Sequence, residues 1–520
     1  MSDSDRASNG DNATRAASPL LRVIAWGCLT ILVALVIVWR SAANIEPDDD
    51  QQRDAADGSL PVTAPVTASP LPPAPEPDVQ LWQWSSAKTL SGDEVRELNA
   101  LPVAAFMQWI GSIDLVAGAP RFAARGGAVR GLATVPRWSV IRIEVRCLPL
   151  LGTAQAVQLA ALVASRVQPG CTGLQLDVDV PLRLLPAYGA FLTEVRQRLP
   201  DGTGLACTGL VSWLSSPDLA SALRPVDWWV PQCYSTSVPK DPTTAVRLAG
   251  GGSLERVMAR CEALHRPYRI GLPTFEQVTW WNPDRSVHNA AVSVALEDLL
   301  AAGLQPLSQP SPEERLLRFI IPTDTTVGTL RFPAGSILLT GQPTVAGLAL
   351  RLRTIRSLAG PWFRGVALFR LAGTADLPAL STAQVLAALQ AAAVPTASAT
   401  PAGASSDIPA LDLHWSGRSG AWELTISNRS TNDLLAFSAP CRVIIDGVCE
   451  APLGVLAGGI RCVPALAGVP VGPAHSDGLL VTVPFLRAGF AVTLPPLAIV
   501  SPSAPDCRLV PPRTEADLSP

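Results

Sequence analysis

Lysine is almost missing from this chain of 520 residues: Lys88 and Lys240 are the only two among 40 basic residues, and the rest are arginine. With abundant alanine and 49 prolines, that imbalance reads as the imprint of a bacterial genome rich in guanine and cytosine, a bias of origin rather than of function. Net charge is also lacking: at −3 the chain offers no basic surface for nucleic acid and no basis for holding an acidic polymer. The glycine-rich phosphate turn of open dinucleotide-binding sheets is absent. None of the ten cysteines has the spacing of a zinc site. No metal or organic cofactor is called for.

What is present begins with an apolar run, residues 23–39, between Arg22 and Arg40. Counted with Leu20 and Leu21 it is long enough to cross a bilayer, so residues 20–40 are predicted to form a single transmembrane helix. Arg6, Arg15 and Arg22 precede it while Glu46 and three aspartates at 48–50 follow, which makes residues 1–19 a cytoplasmic tail and the remainder periplasmic. No small-x-small cleavage site follows closely, and Cys28 behind Trp26 is a poor lipid-attachment site, so the anchor in the inner membrane is expected to stay uncleaved. In that oxidising compartment Cys441, Cys449, Cys462 and Cys507, clustered near the C-terminus, could form two disulfides. Cys147, Cys171, Cys207, Cys233 and Cys261 read as buried free thiols.

Residues 41–78 are a linker rich in proline and alanine. Short apolar runs then alternate with helix-patterned segments at 79–84, 104–110, 140–147, 174–180, 205–213, 228–235, 268–275 and 365–371. Eight strand–helix units predict an α/β fold, a (β/α)₈ TIM-like barrel over residues 79–394, with a small β insertion at about 308–342. A second linker at 395–407 leads to a small C-terminal β-sandwich over 408–511 and a tail at 512–520.

In such a barrel the chemistry lies at the C-terminal ends of the strands. On the fourth strand, apolar Leu174, Leu176, Val178 and Val180 alternate with Gln175, Asp177 and Asp179, which puts the polar set on the inward face with Asp179 nearest the mouth. Two carboxylates in a confined space raise the pKa of one and prepare a proton donor, as glycoside hydrolysis requires. Arg142, Glu144 and Arg146 are expected on one face of the third strand, beside these acids, where they could instead hold the carboxylates ionised, so the sequence leaves the sign of the shift open. Gln232 and Tyr234 share a face of the sixth strand, where an amide and a hydroxyl would position a substrate. Trp82 and Trp84 end the first strand, Trp213 the fifth, and Trp280 and Trp281 follow the seventh, all expected near the mouth where flat rings suit sugars.

The run Thr172-Gly-Leu-Gln-Leu-Asp-Val-Asp179 resembles the Asp-Gly-x-Asp-x-Asp-x-Glu strand of family 18 chitinases; Gln232-Cys-Tyr-Ser235 resembles their Met-x-Tyr-Asp, and residues 270–275 their Gly-x-Pro segment. The resemblance implies that Asp179 is the general acid, Asp177 the carboxylate that orients an N-acetyl group, and Tyr234 its helper. Thr172 and Gln175 stand where that family has acids, Ser235 where it has Asp, and Asp179 is one methylene shorter than Glu. A closer resemblance, over about residues 79–300 and including Ser212-Trp213 and Val226-Asp227, is to the bacterial domain-of-unknown-function family 3142 (DUF3142). The first expectation is therefore a membrane-anchored glycoside hydrolase-like protein acting on an envelope or extracellular polysaccharide. Its catalytic set would be Asp179, Asp177 and Tyr234, with Gln175, Gln232, Trp82, Trp84, Trp213, Arg146 and Glu144 binding substrate. Two alternatives stand beside it: a non-catalytic carbohydrate-binding barrel, and a structural envelope protein whose acids and arginines form a buried ion network.

Overall fold

The computed structural model describes residues 78–84, 92–124, 135–234, 254–289, 294–307, 314–371, 379–393 and segments between 411 and 510. The expected anchor helix, the linkers at 41–77 and 395–407, and Cys28 and Cys449 lie outside the described residues. Among the described residues no helix is long and apolar enough to cross a membrane.

The strands follow in chain order: β1 (Asp78–Gln83), β2 (Val103–Val116) with its hairpin partner β3 (Ala119–Ala124), β4 (Arg137–Ile143), β5 (Gly173–Asp177), β6 (Gly204–Leu210), β7 (Trp228–Gln232) and β8 (Tyr268–Pro273). An insertion then contributes β9 (Gln277–Trp281), β10 (Val287–Asn289), β11 (Glu314–Ile320), β12 (Thr325–Val327), β13 (Leu330–Phe332) and β14 (Ile337–Pro343), before β15 (Phe363–Phe369). Strands β1, β2, β4, β5, β6, β7, β8 and β15 pair in parallel, and β1 pairs with both β2 and β15, so the sheet closes into an eight-stranded barrel. The two-residue period sorts each strand. Leu81, Phe106, Ile141, Leu174, Leu176, Leu205, Cys207, Ile270 and Leu368 belong to one core with the helical segments, while Trp82, Met107, Val140, Ala206, Val230 and Ala367 form a separate cluster of the opposite parity inside the barrel.

At the N-terminal end of the barrel interior, Trp138 of β4 packs against Trp228 with ring centroids 5.0 Å apart, and the Arg269 guanidinium lies 4.9 Å over the Trp228 ring. Two strand-opening glycines make room for this indole: a Cβ on Gly173 would fall 2.5 Å from the Trp138 ring, and one on Gly204 2.4 Å from it. Asp227, of the Val226-Asp227 pair, fastens the same end by accepting from Leu205 N at 2.8 Å and from Arg196 at 2.7 Å.

Several strands end earlier than the alternation suggests. β4 stops at Ile143, so Glu144 and Arg146 do not continue the face of Arg142; Glu144 precedes a 3₁₀ turn, Val145–Gly152, on which Arg146 lies. β5 stops at Asp177, where the chain tightens with Val180 N donating to Val178 O ahead of Pro181. β6 stops at Leu210, which places Trp213 on the 3₁₀ turn Val211–Ser215, and β7 stops at Gln232, two residues before Tyr234. The insertion starts immediately after β8 rather than near 308: β9 joins β10, β14 and β11 in an antiparallel sheet, with β12–β13 as a separate hairpin. Trp280 and Trp281 therefore belong to β9 and are buried in the insertion, where Trp280 packs edge-on to Phe332, instead of flanking the barrel mouth.

The C-terminal domain holds one sheet built from Leu411–Arg418, Ala421–Asn428 and Ala491–Thr493, and a second centred on Cys441–Asp446 and Gly478–Val483. Leu424 and Ile426 of the first share one apolar core with Val443, Ile445, Val481 and Val483 of the second. The two-disulfide expectation fails here: Cys441, Cys462 and Cys507 are free, and Cys441 and Cys462 pack in that core as small apolar residues. Burial pushes both of those thiols up to about 11.

The glycine–indole fit gives a direct test. Gly204→Ala is expected to destabilise the protein by about 1–3 kcal/mol, the usual cost of an extra methyl in a filled interior. Trp138→Leu in the same chain should recover part of it in denaturant titrations; equal losses with and without Trp138 would show that the ring does not set the constraint.

Candidate active site

Inward-facing residues near the C-terminal ends of the barrel strands surround a cavity of about 760 Å³ lined by Trp84, Trp109, Ser112, Asp114, Ala123, Arg142, Glu144, Asp177, Asp179, Leu210, Gln232, Tyr234 and Phe369. β1 runs up to Trp84, β2 supplies Trp109, Ser112 and Asp114, and β4 supplies Arg142. Asp177 ends β5, Gln232 ends β7 and Phe369 ends β15. One wall is aromatic. Trp84 stacks on Trp109 with centroids 4.6 Å apart and planes 7° from parallel, and Phe369 stacks on Tyr234 at 5.8 Å.

Another part of the lining is acidic and organised by one guanidinium. Arg142 Nη1 donates to Asp177 Oδ2 at 2.7 Å and Nη2 to Asp179 Oδ2 at 3.1 Å, while Nε lies 3.6 Å from Glu144 Oε2. Asp177 is buried and further fixed through Oδ1, which accepts from Thr208 Oγ1 at 2.8 Å and from Gln232 Nε2 at 3.3 Å. Asp179 is held through Oδ2 alone among the described residues, and its side chain remains 37% exposed. Burial and the neighbouring charge of Asp177 raise the Asp179 pKa above the ordinary carboxylate value despite the opposing pull of Arg142. Burial also works against the charge of Arg142, but Asp177, Asp179 and Glu144 outweigh it and raise the pKa of the guanidinium. Burial, with the charges of Asp177 and Asp179, keeps the Tyr234 phenol well above its usual value, and hence a hydrogen-bond donor.

Of the ten residues singled out from sequence, Asp177, Asp179, Tyr234, Gln232, Trp84 and Glu144 line the cavity; Gln175, Trp82, Trp213 and Arg146 do not. Gln175 is fully buried two residues before Asp177, and its amide has no hydrogen-bond partner among the described residues. Trp82 lies behind Trp84, stacked on it at 6.0 Å. Trp213 is in the core, where its Nε1 donates to Val180 O at 2.7 Å and so ties down the segment that carries Asp179. Arg146 pairs with Asp114.

Sequence reasoning missed Trp109, Ser112, Asp114, Thr208 and Phe369. For Ser112 and Asp114 the cause is a bulge: Trp109 pairs with Val140 but Gly111 pairs with Ile141, so Ile110 is an extra residue that shifts the phase of everything after it. Gly111 has φ +155°, and a Cβ there would meet Ala123 O at 2.3 Å, so glycine is required where β3 closes against the bulge.

The model of a domain of unknown function, DUF3142, matches residues 134–298. No curated protein matches the chain. Among solved structures, the spore cortex-lytic enzyme SleL of Bacillus cereus is similar at 14% identity and a TM-score of 0.41, over 64% of this chain and 79% of that one. A chitinase from Chromobacterium violaceum is similar at 15% identity and 0.41, over 60% and 99%. A class V chitinase from Pseudomonas fluorescens is similar at 14% and 0.38, over 61% and 99%.

The raised Asp179 pKa has a signed consequence for stability. Below the ordinary aspartate pKa the group is protonated whether the chain is folded or not. As pH rises, the unfolded chain releases the proton first, so this group's contribution to stability falls until the folded carboxyl ionises as well. Asp179→Asn removes that loss. The melting temperature of the variant minus that of the parent is expected to be more positive at pH 7 than at pH 3, and a difference independent of pH would refute the raised value.

Proposed function

We propose that this protein is a glycoside hydrolase acting on an envelope or extracellular polysaccharide, with Asp179 as general acid. The observation that carries the reading is the asymmetry of the two aspartates at the barrel mouth: Asp177 is buried and fixed by three side chains, while Asp179, beside it, is partly exposed and bonded through one oxygen; burial and the charge of Asp177 raise the Asp179 pKa above the ordinary carboxylate value. A proton donor next to a rigid carboxylate is what cleavage of a glycosidic bond needs. Asp179 would protonate the leaving oxygen. Asp177 would orient the substrate, and with the Tyr234 hydroxyl it would stabilise the positive charge that develops on the sugar. The Trp84–Trp109 stack supplies an apolar wall against which a sugar ring packs. In this reading residues 20–40 anchor the chain in the inner membrane and hold the barrel in the periplasm, within reach of such a polymer.

A second reading, a barrel that binds glycans without cleaving them, draws support from the hydrogen bond that Arg142 donates to Asp179, which ties that carboxyl to a cation. One experiment separates the two. A panel of defined oligosaccharides is offered to the full chain and to Asp179→Asn and Asp177→Asn variants. Hydrolysis is expected from the parent, with turnover lower by about 10²–10⁴-fold in Asp179→Asn, the usual contribution of a general acid, and with binding retained. Parent activity should fall as pH rises through the Asp179 pKa. Binding without products would favour the second reading, and unchanged turnover in Asp179→Asn would remove Asp179 from the mechanism.

A further inference from the structure

The C-terminal domain meets the barrel and its insertion through a second ion network, centred on a fully buried carboxylate. Arg487, from that domain, is 3% exposed in its side chain and donates through Nη2 to Glu276 Oε2 at 2.6 Å and to Glu297 Oε2 at 2.9 Å, and through Nη1 to Gln342 Oε1 at 2.8 Å. Arg315 of β11 donates to the other Glu276 oxygen at 3.2 Å, to Gln342 and to Asp433 of the C-terminal domain. Asp433 in turn accepts from Ala488 N at 3.0 Å and from Gln384 at 3.3 Å. Glu276 is fully buried, with each carboxylate oxygen taken by a different arginine.

This network grips the chain on both sides of one aromatic residue. Glu276 follows Phe275 directly, and the carbonyl of Thr274, just before it, accepts from Gln342 Nε2 at 3.4 Å. Phe275 packs edge-on against the two rings of the cavity wall, 5.7 Å from Tyr234 and 5.6 Å from Phe369. We infer that Arg487 is a positioning residue for the cavity: through Glu276 and Gln342 it fixes Phe275, and through Phe275 the place of Tyr234, so the C-terminal domain is a working part of the barrel site and not a detachable module. The inference does not depend on the glycosidase reading, because what it concerns is the position of a ring.

The chain contains three tyrosines, Tyr188, Tyr234 and Tyr268, which makes a site-specific readout simple. The full chain is labelled with 3-fluorotyrosine and its fluorine resonances are assigned by single Tyr→Phe substitutions. Arg487→Met is expected to shift the Tyr234 resonance and leave in place that of Tyr188, whose ring contacts are Phe191 and Trp213. Arg487→Lys keeps the charge but lacks the planar fork, and it carries the test if the Met variant does not fold. The same selective shift is expected there. A Tyr234 resonance at its parent position in either folded variant overturns the inference, as does a common shift of Tyr188 and Tyr234, which would mark general loosening instead of positioning.

Discussion

One guanidinium organises the mouth of this barrel. Arg142 is the nearest cation to Asp177, Asp179 and Glu144 alike, and it bonds the first two directly. Without it, carboxylates from adjacent segments would face one another in a low-dielectric cleft, which disfavours ionisation of both. With it, the aspartates are brought together but made unequal. Thr208 and Gln232 add their hydrogen bonds to Asp177 only. Asp179 sits one turn of chain further out, bonded through a single oxygen, with Trp213 fastening the segment beneath it. The difference in burial and bonding thus follows from where β5 ends.

That end point also marks how far the sequence could be read. The barrel was legible because eight apolar runs alternate with helical patterns, and parity separates the residues facing the helices from those inside. Asp177, Asp179, Gln232 and Tyr234 were legible for the same reason, with a resemblance to a known strand motif to support them. What parity could not give was where each strand stops. Trp213 and Arg146 keep the phase of their strands on paper, but both lie on 3₁₀ turns that begin once the strand pairing is over. Trp82 and Gln175 keep the phase in fact and still miss the cavity, since an inward residue below the top layer meets other side chains and not solvent. Ser112 and Asp114 were lost to the bulge at Ile110, which an alternation pattern cannot reveal.

The extent of the insertion escaped for a related reason. Its first strand, β9, starts four residues after β8 ends, and the paired tryptophans it carries have the composition of a binding surface. They are instead the core of a sheet. Val278 and Trp280 join Leu317, Phe319 and Phe332 there, and Phe485 reaches in from the C-terminal domain. Long-range packing of that kind has no local signature.

Two ion networks among the described residues show why charge alone does not mark a site. Around Glu276 the charges are closed off: the carboxylate is fully buried, both oxygens are claimed by arginines, and those arginines are almost without exposure. Buried pairs of this kind contribute little net stability over apolar packing, but they penalise any arrangement that separates them, which suits an element that has to hold one geometry. Around Arg142 the same chemistry is left incomplete. Asp179 and Glu144 keep about a third of their side-chain surface open, the guanidinium is shared among more carboxylates than it can neutralise, and the unbalanced charge faces a cavity large enough for a ligand. An open, under-compensated acid beside a fixed one can exchange a proton with whatever enters; a sealed one cannot.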